Sequence, residues 1–297
     1  ISPMTLSTSG LPQSLAAIAE AQWQRILENA TDGQTEELVA LALKDPIATQ
    51  LPLVLACSPF VAELVRRKPD LLLKSINGGE LQQTLPEDAF TEQLIALLCV
   101  QDAELGKVLR LFRQRQMLRI VWRDFCRLAD TLETVRDTSL LAEACIEQAL
   151  AYIHSALEKR YGMPIGRESG APQQLIVLAM GKLGARELNV SSDIDLIFAF
   201  PEAGQTTSET SSISNEEFFT KVGQGLIAAL DQLTPEGFVF RVDMRLRPYG
   251  DSGALVHNFN ALEEYYQEQG RDWERYALIK ARPVTGDARQ AELLMES

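Results

Sequence analysis

Residues 175–200 decide the fold of this chain and read LIVLAMGKLGARELNVSSDIDLIFAF. The apolar run Leu175–Met180 predicts a buried strand, the glycines after it predict a turn, and Ile194–Phe200 predicts a second buried strand. Asp193 and Asp195 stand where that second strand begins. Side chains two residues apart on a strand point to the same face, so we expect the two carboxylates to project together.

Two carboxylates held side by side repel each other unless a cation lies between them, so this pair is a candidate site for Mg²⁺. In the alternative interpretation no metal is bound, and the pair lies on an exposed strand face or at the end of a polar loop. The residues Leu196–Phe200 are all apolar, however, and indicate a central strand where carboxylates without a partner are costly. The pattern therefore favours a metal site.

A third predicted strand, Phe238–Leu246, contains another acidic residue, Asp243. If this strand pairs with the second one, Asp243 completes a cluster of three carboxylates; alternatively it forms an ion pair with a nearby arginine. Arg245 and Arg247 have the same parity as Asp243, so strand alternation predicts all three on one face. The two arginines are candidate phosphate anchors or structural partners of the acidic cluster.

The turn also resembles a degenerate dinucleotide-binding motif, because Gly181 and Gly184 follow a strand. That unit needs a full helix before the next strand. Only about a dozen residues separate Met180 from Asp193, and Ala179 replaces the first glycine of the motif. We therefore reject the dinucleotide interpretation.

The residues before this segment predict mainly helices. Apolar residues recur every three or four positions in the longest candidates, about Glu104–Asp130 and Ser139–Arg160. The sequence thus predicts an α+β protein, with a helical region over residues 1–133 and a small mixed-sheet domain over 134–297. Four arginines repeat on one face of the first long helix: Arg115, Arg119, Arg123 and Arg127. A solvated face or pairing with acidic neighbours is the favoured interpretation, and contact with a phosphate or an acidic partner is the alternative.

Composition limits the functional class. The 297 residues carry 28 Lys and Arg against 41 Asp and Glu, a net charge of −13, which argues against a nucleic-acid partner. No run of about 18 apolar residues predicts a membrane span, and Ile1–Gly10 lacks the pattern of a signal peptide. The four cysteines are widely spaced in apolar contexts, so we expect neither disulfides nor a zinc site, and a cytoplasmic location.

A strand, a glycine turn and an Asp-x-Asp motif about a dozen residues later resemble the polymerase-β-like nucleotidyltransferase superfamily. The match extends to the glutamine synthetase adenylyltransferase/deadenylylase family. Its signature blocks resemble GKLG at 181–184, SSDIDLIF at 191–198, VDMRLRP at 242–248 and QGRDWERYA at 269–277. The resemblance covers the chain from about Glu104 to Ala281.

The resemblance implies a nucleotidyltransferase domain in which Asp193, Asp195 and Asp243 are catalytic and hold two Mg²⁺ ions. It also implies nucleotide or phosphate contacts from eight residues: Gly181, Lys182, Ser191, Ser192, Arg245, Arg247, Lys280 and Arg282. The expected partners are adenylylated glutamine synthetase, the PII signalling protein, phosphate, and ADP or ATP.

The family enzyme has two similar halves, one that adenylylates a tyrosine of glutamine synthetase and one that removes the AMP by phosphorolysis. Asn189 and the block Arg271–Ala277 resemble the N-terminal, deadenylylating half. The adenylylating half and an inert module that binds PII or glutamine synthetase remain the alternatives. The chain ends before a further block expected of a complete half, so we expect a fragment.

Overall fold

The computed structural model describes residues 6–100 and 103–296. The chain forms two compact units. One holds the chain up to Pro86 together with Arg113–Asp137, and the other holds Glu87–Phe112 and the chain from Thr138 onward. The domain boundary predicted at residues 133 and 134 falls inside a long helix, Thr131–Tyr161, and stays a prediction.

Helices dominate both units. In the described residues they are α1 (Gln13–Asn29), α2 (Asp32–Ala42), α3 (Ile47–Cys57), α4 (Pro59–Arg67), α5 (Pro69–Asn77), α6 (Ala89–Leu98), α7 (Leu105–Phe125), α8 (Thr131–Tyr161), α9 (Gly181–Gly184), α10 (Asn215–Asp231), α11 (Phe259–Glu264), α12 (Asp272–Ala277) and α13 (Ala288–Glu296). Local chemistry explains several starts. Thr31 and Gln34 form a capping box at α2, and the Ser58 hydroxyl accepts a hydrogen bond from Val61 N before Pro59 opens α4.

Buried ion pairs characterise the first unit. On α7, Arg119 and Arg123 are almost fully buried and pair with Asp137 and Glu133 at 2.8 and 2.7 Å. Arg115 pairs with Glu80. Pairing with acidic neighbours is therefore confirmed for these three arginines, whereas solvation is wrong for the two that are buried.

The strands belong to the second unit. They are β1 (Pro164–Gly166), β2 (Ile176–Ala179), β3 (Ile194–Phe200), β4 (Gly204–Thr206), β5 (Val242–Asp243), β6 (Val256–Asn258) and β7 (Arg282–Pro283). β1 and β4 form an antiparallel pair. The other five form a mixed sheet in which β2 lies antiparallel between β7 and β3, while β5 and β6 both run parallel to β3.

The α+β class, the first two predicted strands and the turn between them are confirmed. The third predicted strand is wrong in its extent, because only Val242–Asp243 of Phe238–Leu246 forms a strand. The Asp243 carboxylate accepts a hydrogen bond from Arg245 N at 2.8 Å, which bends the chain away from β3. Farther along β3, β6 pairs with Phe198–Phe200, so the extension predicted for β5 is occupied by other residues.

β3 is the central strand of the mixed sheet. Its residues Leu196–Phe200 are buried, and Ile197 and Ala199 share a core with Ile176, Leu178 and Met180 from β2 and its end. Residues of α11 and α13 cover the same cluster. The apolar run therefore builds a rigid support immediately after Asp195.

No single helix within the described ranges is long and apolar enough to cross a membrane. The pair α2 and α3, bent by 109°, passes the same length and composition test together. The apolar residues Ile47, Leu51, Val54 and Leu55 of α3 are buried inside the protein, as in an ordinary core helix.

Candidate active site

Two neighbouring strand starts bring the acidic residues together. β5 runs parallel to β3, with Ile194 opposite Val242 and Asp195 opposite Asp243. Asp193 precedes β3 by one residue. The register therefore confirms the predicted pairing of the second and third strands, and places all three acids at one end of the sheet.

The chain that enters β5 is held from two sides. Arg110, a buried residue of α7, donates hydrogen bonds to the carbonyl oxygens of Gly237 and Gln232 at 2.8 and 2.6 Å. Val239 N donates to Leu230 O at the end of α10. These bonds position the short strand although its ladder with β3 covers only two residue pairs.

The glycine turn lies against Asp195. Gly181 has φ +53°, in the left-handed region that favours glycine, and a Cβ there would lie 2.8 Å from Asp195 Oδ2. Met180 N also donates to the Asp195 carbonyl oxygen at 2.9 Å. Only a residue without a side chain leaves this carboxylate open toward the turn.

Each outer carboxylate has an arginine partner. Arg241 Nε lies 2.6 Å from Asp193 Oδ1. Arg245 Nε lies 3.0 and 2.9 Å from the two oxygens of Asp243. Arg241 was not among the predicted site residues; its position two residues before Asp243 is the only signal in the sequence that could have found it.

Arg247 lies beyond the end of β5, so the strand alternation that placed it on the face of Asp243 does not extend to it, although its charge still helps to lower the pKa of Asp243. The chain leaves the strand after Asp243, and Arg247 turns back on its own loop. Its Nη1 donates to Met244 O at 2.8 Å and lies 3.5 Å from Asp251 Oδ1. Arg245 reaches Asp243 through the turn and not through strand alternation.

The two strand carboxylates are shifted in opposite directions. Burial, followed by the negative charges of Asp243 and Asp193, raises the pKa of Asp195. The hydrogen bond from Arg245 lowers the pKa of Asp243. A cation bound next to Asp195 would oppose the repulsion from Asp243 and Asp193 that helps to raise its pKa.

This donor set fits a hard divalent ion, because carboxylate oxygens are the ligands that Mg²⁺ prefers and Gly181 leaves Asp195 open. Within residues 6–100 and 103–296, however, no three Asp, Glu, His or Cys side chains already form a group able to hold a metal ion. Arg241 and Arg245 occupy oxygens of the outer carboxylates. Ion binding would therefore move at least one guanidinium group aside.

The predicted polar residues of the turn lie beside the carboxylates. Lys182 Nζ donates to Ser192 Oγ at 3.3 Å, and Ser192 Oγ donates to Asn189 Oδ1 at 2.6 Å. The charge of Lys182 also acts on Asp195. Ser191 is exposed, and its carbonyl oxygen accepts a hydrogen bond from Arg241 at 3.2 Å.

Lys280 and Arg282 make contacts that hold the turn. Lys280 Nζ lies 2.8 Å from Glu187 Oε2. Arg282 donates to Gly184 O and Leu183 O at 3.0 and 3.1 Å, and it also pairs with Glu143 of α8. Phosphate contact by these two residues stays a prediction.

Helices followed by a mixed sheet, with paired carboxylates at strand starts beside a short glycine turn, define an α+β domain of the nucleotidyltransferase type. The family model of glutamate-ammonia ligase adenylyltransferase matches residues 48–296. The chain belongs to this family.

Curated relatives carry the name bifunctional glutamine synthetase adenylyltransferase/adenylyl-removing enzyme. The relative from Pseudomonas aeruginosa is 56% identical over 244 residues, which cover 82% of this chain and 25% of the relative. That from Pseudomonas putida is 48% identical over 97% of this chain and 30% of the relative, and that from Nitrosococcus oceani 47% over 95% and 29%. The chain thus spans between a quarter and a third of the length of these relatives.

Proposed function

We propose that this chain carries a nucleotidyltransferase site that acts on glutamine synthetase, and that it removes AMP from an adenylylated tyrosine by phosphorolysis. The observation that carries the proposal is the parallel register that sets Asp195 opposite Asp243, with Asp193 one residue before the strand. The relatives' name includes both adenylyl transfer and adenylyl removal. The resemblance of Asn189 and Arg271–Ala277 to the deadenylylating half favours removal.

The proposed reaction exchanges one bond at phosphorus for another. An oxygen of inorganic phosphate forms a bond to the adenylyl phosphorus, while the bond from that phosphorus to the tyrosine oxygen breaks. The tyrosine oxygen takes up a proton and ADP leaves. Most of the rate enhancement in such transfers comes from positioning the reactants and neutralising charge.

Asp193, Asp195 and Asp243 would hold two Mg²⁺ ions, which when bound supply positive charge to the attacking and leaving oxygens. Gly181 would let a phosphate oxygen approach the backbone of the turn. Ser192, oriented by Asn189 and Lys182, would donate a hydrogen bond to a phosphate oxygen once it releases its present acceptor. The Arg245 guanidinium would exchange its ion pair with Asp243 for one with a phosphate group.

The PII signalling protein remains part of the proposal as a regulatory partner, and so does a cytoplasmic location. The family resemblance supports the first, and the spacing of the cysteines supports the second.

The test incubates the chain with adenylylated glutamine synthetase, Mg²⁺ and inorganic phosphate, and measures ADP. We expect ADP release that stops on chelation of Mg²⁺ and falls at least about a thousandfold in Asp193→Asn, since the site loses a metal ligand. The exposed residue Asp32 on α2 offers a matched control, because Asp32→Asn removes the same charge far from the three acids in sequence.

Two outcomes would contradict the proposal. Consumption of ATP with attachment of AMP to unmodified glutamine synthetase would assign the opposite reaction. Binding of glutamine synthetase without turnover in either direction would indicate an inert binding module.

A further inference from the structure

A cavity of about 470 Å³ opens beside Arg245. One wall comes from the loop after β5 and includes Arg245 and Tyr249. The other wall comes from the segment around the start of α12 and includes Gln269, Arg271 and Trp273. The size is within the range of about 300–1,000 Å³ typical of small-ligand sites.

The floor of the cavity is a buried hydrogen-bonded pair. Tyr265 Oη donates to Glu274 Oε1 at 2.8 Å, and Arg271 N donates to Glu274 Oε2 at 2.8 Å. Both side chains are buried, so each oxygen of Glu274 is used inside the protein. Glu274 keeps its negative charge below the surface of the cavity, because both of its donors are neutral, and the positive charges of the lining are the guanidinium groups of Arg245 and Arg271.

Two large aromatic side chains line the cavity and are half exposed, Tyr249 at 57% and Trp273 at 52%. Tyr249 also has φ +59°, a backbone conformation that costs free energy for a residue with a side chain. The ring of Tyr265 contacts it edge-on, with the ring centroids 4.6 Å apart. The backbone of Tyr249 is strained, its ring is exposed, and Tyr265 holds that ring in place. Such a combination indicates a ligand-binding surface.

The guanidinium groups point to an anionic ligand. Arg271 is exposed, and no carboxylate in the described part of the chain pairs with it. Arg245 links the cavity to the acidic cluster, since the same guanidinium contacts Asp243. A ligand with a flat ring and a phosphate group would thus satisfy the aromatic and the cationic residues together.

We infer that this cavity is the nucleoside subsite: a nucleobase stacks on Tyr249 and Trp273, while Arg271 and Arg245 contact the phosphate that leads to the three acids. This inference rests on the proposed function and assigns a role to the block 269–277, which the three acids leave unexplained. Tyr265 and Glu274 are positioning residues, because their hydrogen bond joins the ring that supports Tyr249 to the helix that carries Trp273.

Intrinsic fluorescence offers a direct test. Trp23 and Trp122 are buried in the first unit, so a ligand-dependent change in emission reports on Trp273. Titration with ADP in the presence of Mg²⁺ should quench the emission to saturation. Inorganic phosphate and ribose 5-phosphate, which lack a base, should leave the emission unchanged.

Variants measured by calorimetry then test the contacts. Tyr249→Ala and Trp273→Ala should each raise the Kd for ADP about five- to a hundredfold, the range for loss of one base–aromatic stack. Tyr249→Phe keeps the ring and should retain the affinity, which controls for folding. Tyr276→Ala removes an exposed aromatic side chain from the same helix outside the cavity, and should bind ADP like the unmodified protein.

Kinetics separate this inference from the proposed function. If phosphorolysis occurs and both alanine variants keep the Kd for ADP, the subsite lies elsewhere and the inference is wrong. The same holds if they raise only the KM for adenylylated glutamine synthetase, because the cavity would then dock the polypeptide. If no phosphorolysis occurs but the variants weaken ADP binding as expected, the inference stands and the proposed reaction fails.

Discussion

Gly181 and Gly184 lie three residues apart in one turn, but different contacts require them. Gly181 has a positive φ and faces the Asp195 carboxylate. Gly184 has an ordinary φ, and a Cβ there would lie 1.9 Å from the carbonyl oxygen of Lys280 and 2.6 Å from that of Ala179. The first glycine therefore opens the site, while the second lets two backbone segments pack together.

Gly184→Ala should lower the free energy of unfolding by about 3 kcal/mol, because neither backbone oxygen can move without disturbing the sheet. Urea denaturation measures the change. Gly33→Ala is the control: its Cβ would meet nothing within 4 Å on α2, and the change should be neutral or stabilise by up to about 1 kcal/mol. Equal effects of the two changes would contradict the packing argument.

Gly181→Ala should reduce ADP release about a hundredfold, because the added methyl group displaces the Asp195 side chain. Its effect on stability should be only about 1 kcal/mol, the cost of the left-handed conformation. Gly170→Ala tests the strain alone, since Gly170 has φ +65° and its Cβ would meet nothing within 4 Å. A similar loss of activity in both variants would assign the effect to strain.

At the level of single helices, the repeated arginines of α7 form ion pairs inside the first unit. Arg115, Arg119 and Arg123 recur every fourth position, and charge patterning alone favours solvation or pairing. Asp137 and Glu133 decide between the two only after folding, because both lie on the next helix, α8. Burial lowers the pKa of Arg119, and the hydrogen bond to Asp137 opposes this shift in part.

Asp137→Ala should destabilise the first unit by about 3–5 kcal/mol, since Arg119 would stay buried without its carboxylate. The double variant Arg119→Met, Asp137→Ala should be less destabilised than Asp137→Ala alone, as measured by urea denaturation. Lys74→Ala breaks an exposed pair with Asp70 and should cost less than about 1 kcal/mol. A double variant as unstable as the sum of its single changes would show that the pair is not coupled.

For the whole molecule, the sequence predicts those elements that show a strong apolar pattern or a short turn. It does not predict where a strand ends when a distant segment pairs with the same neighbour. The apolar runs gave correct positions for β2 and β3, and the polar turn between them left no room for a full helix. The end of β5 depends on β6, which pairs with the same strand from residues 256–258. Strands of two or three residues are too short to show an alternation of apolar and polar side chains. The sequence therefore does not predict β1, β4, β6 and β7.

The stability of the whole molecule should fall as the pH drops below about 6.5, partly through His257 on β6. Burial lowers the pKa of His257 below its ordinary value. The unfolded chain therefore binds more protons between the lowered pKa and 6.5, so the stability that neutral His257 contributes is fully present above about 6.5 and is lost as the pH falls through this window. His257→Gln should flatten the dependence of the urea midpoint on pH relative to the unmodified protein; parallel curves would contradict this role.

β5 and β6 pair with different parts of the same edge of β3. Residues 244–255 form the excursion, the loop that connects these two strands. The strand pairings that support Asp195 and Asp243 are thus separate from the segment that carries Tyr249, apart from Arg245 at its start, which pairs with Asp243. We expect that the part of the excursion after Arg245 can be exchanged or lengthened while both strand pairings persist. If Arg245 is kept, protein engineers could therefore replace this one loop to change which ligand is recognised, without altering the three acids.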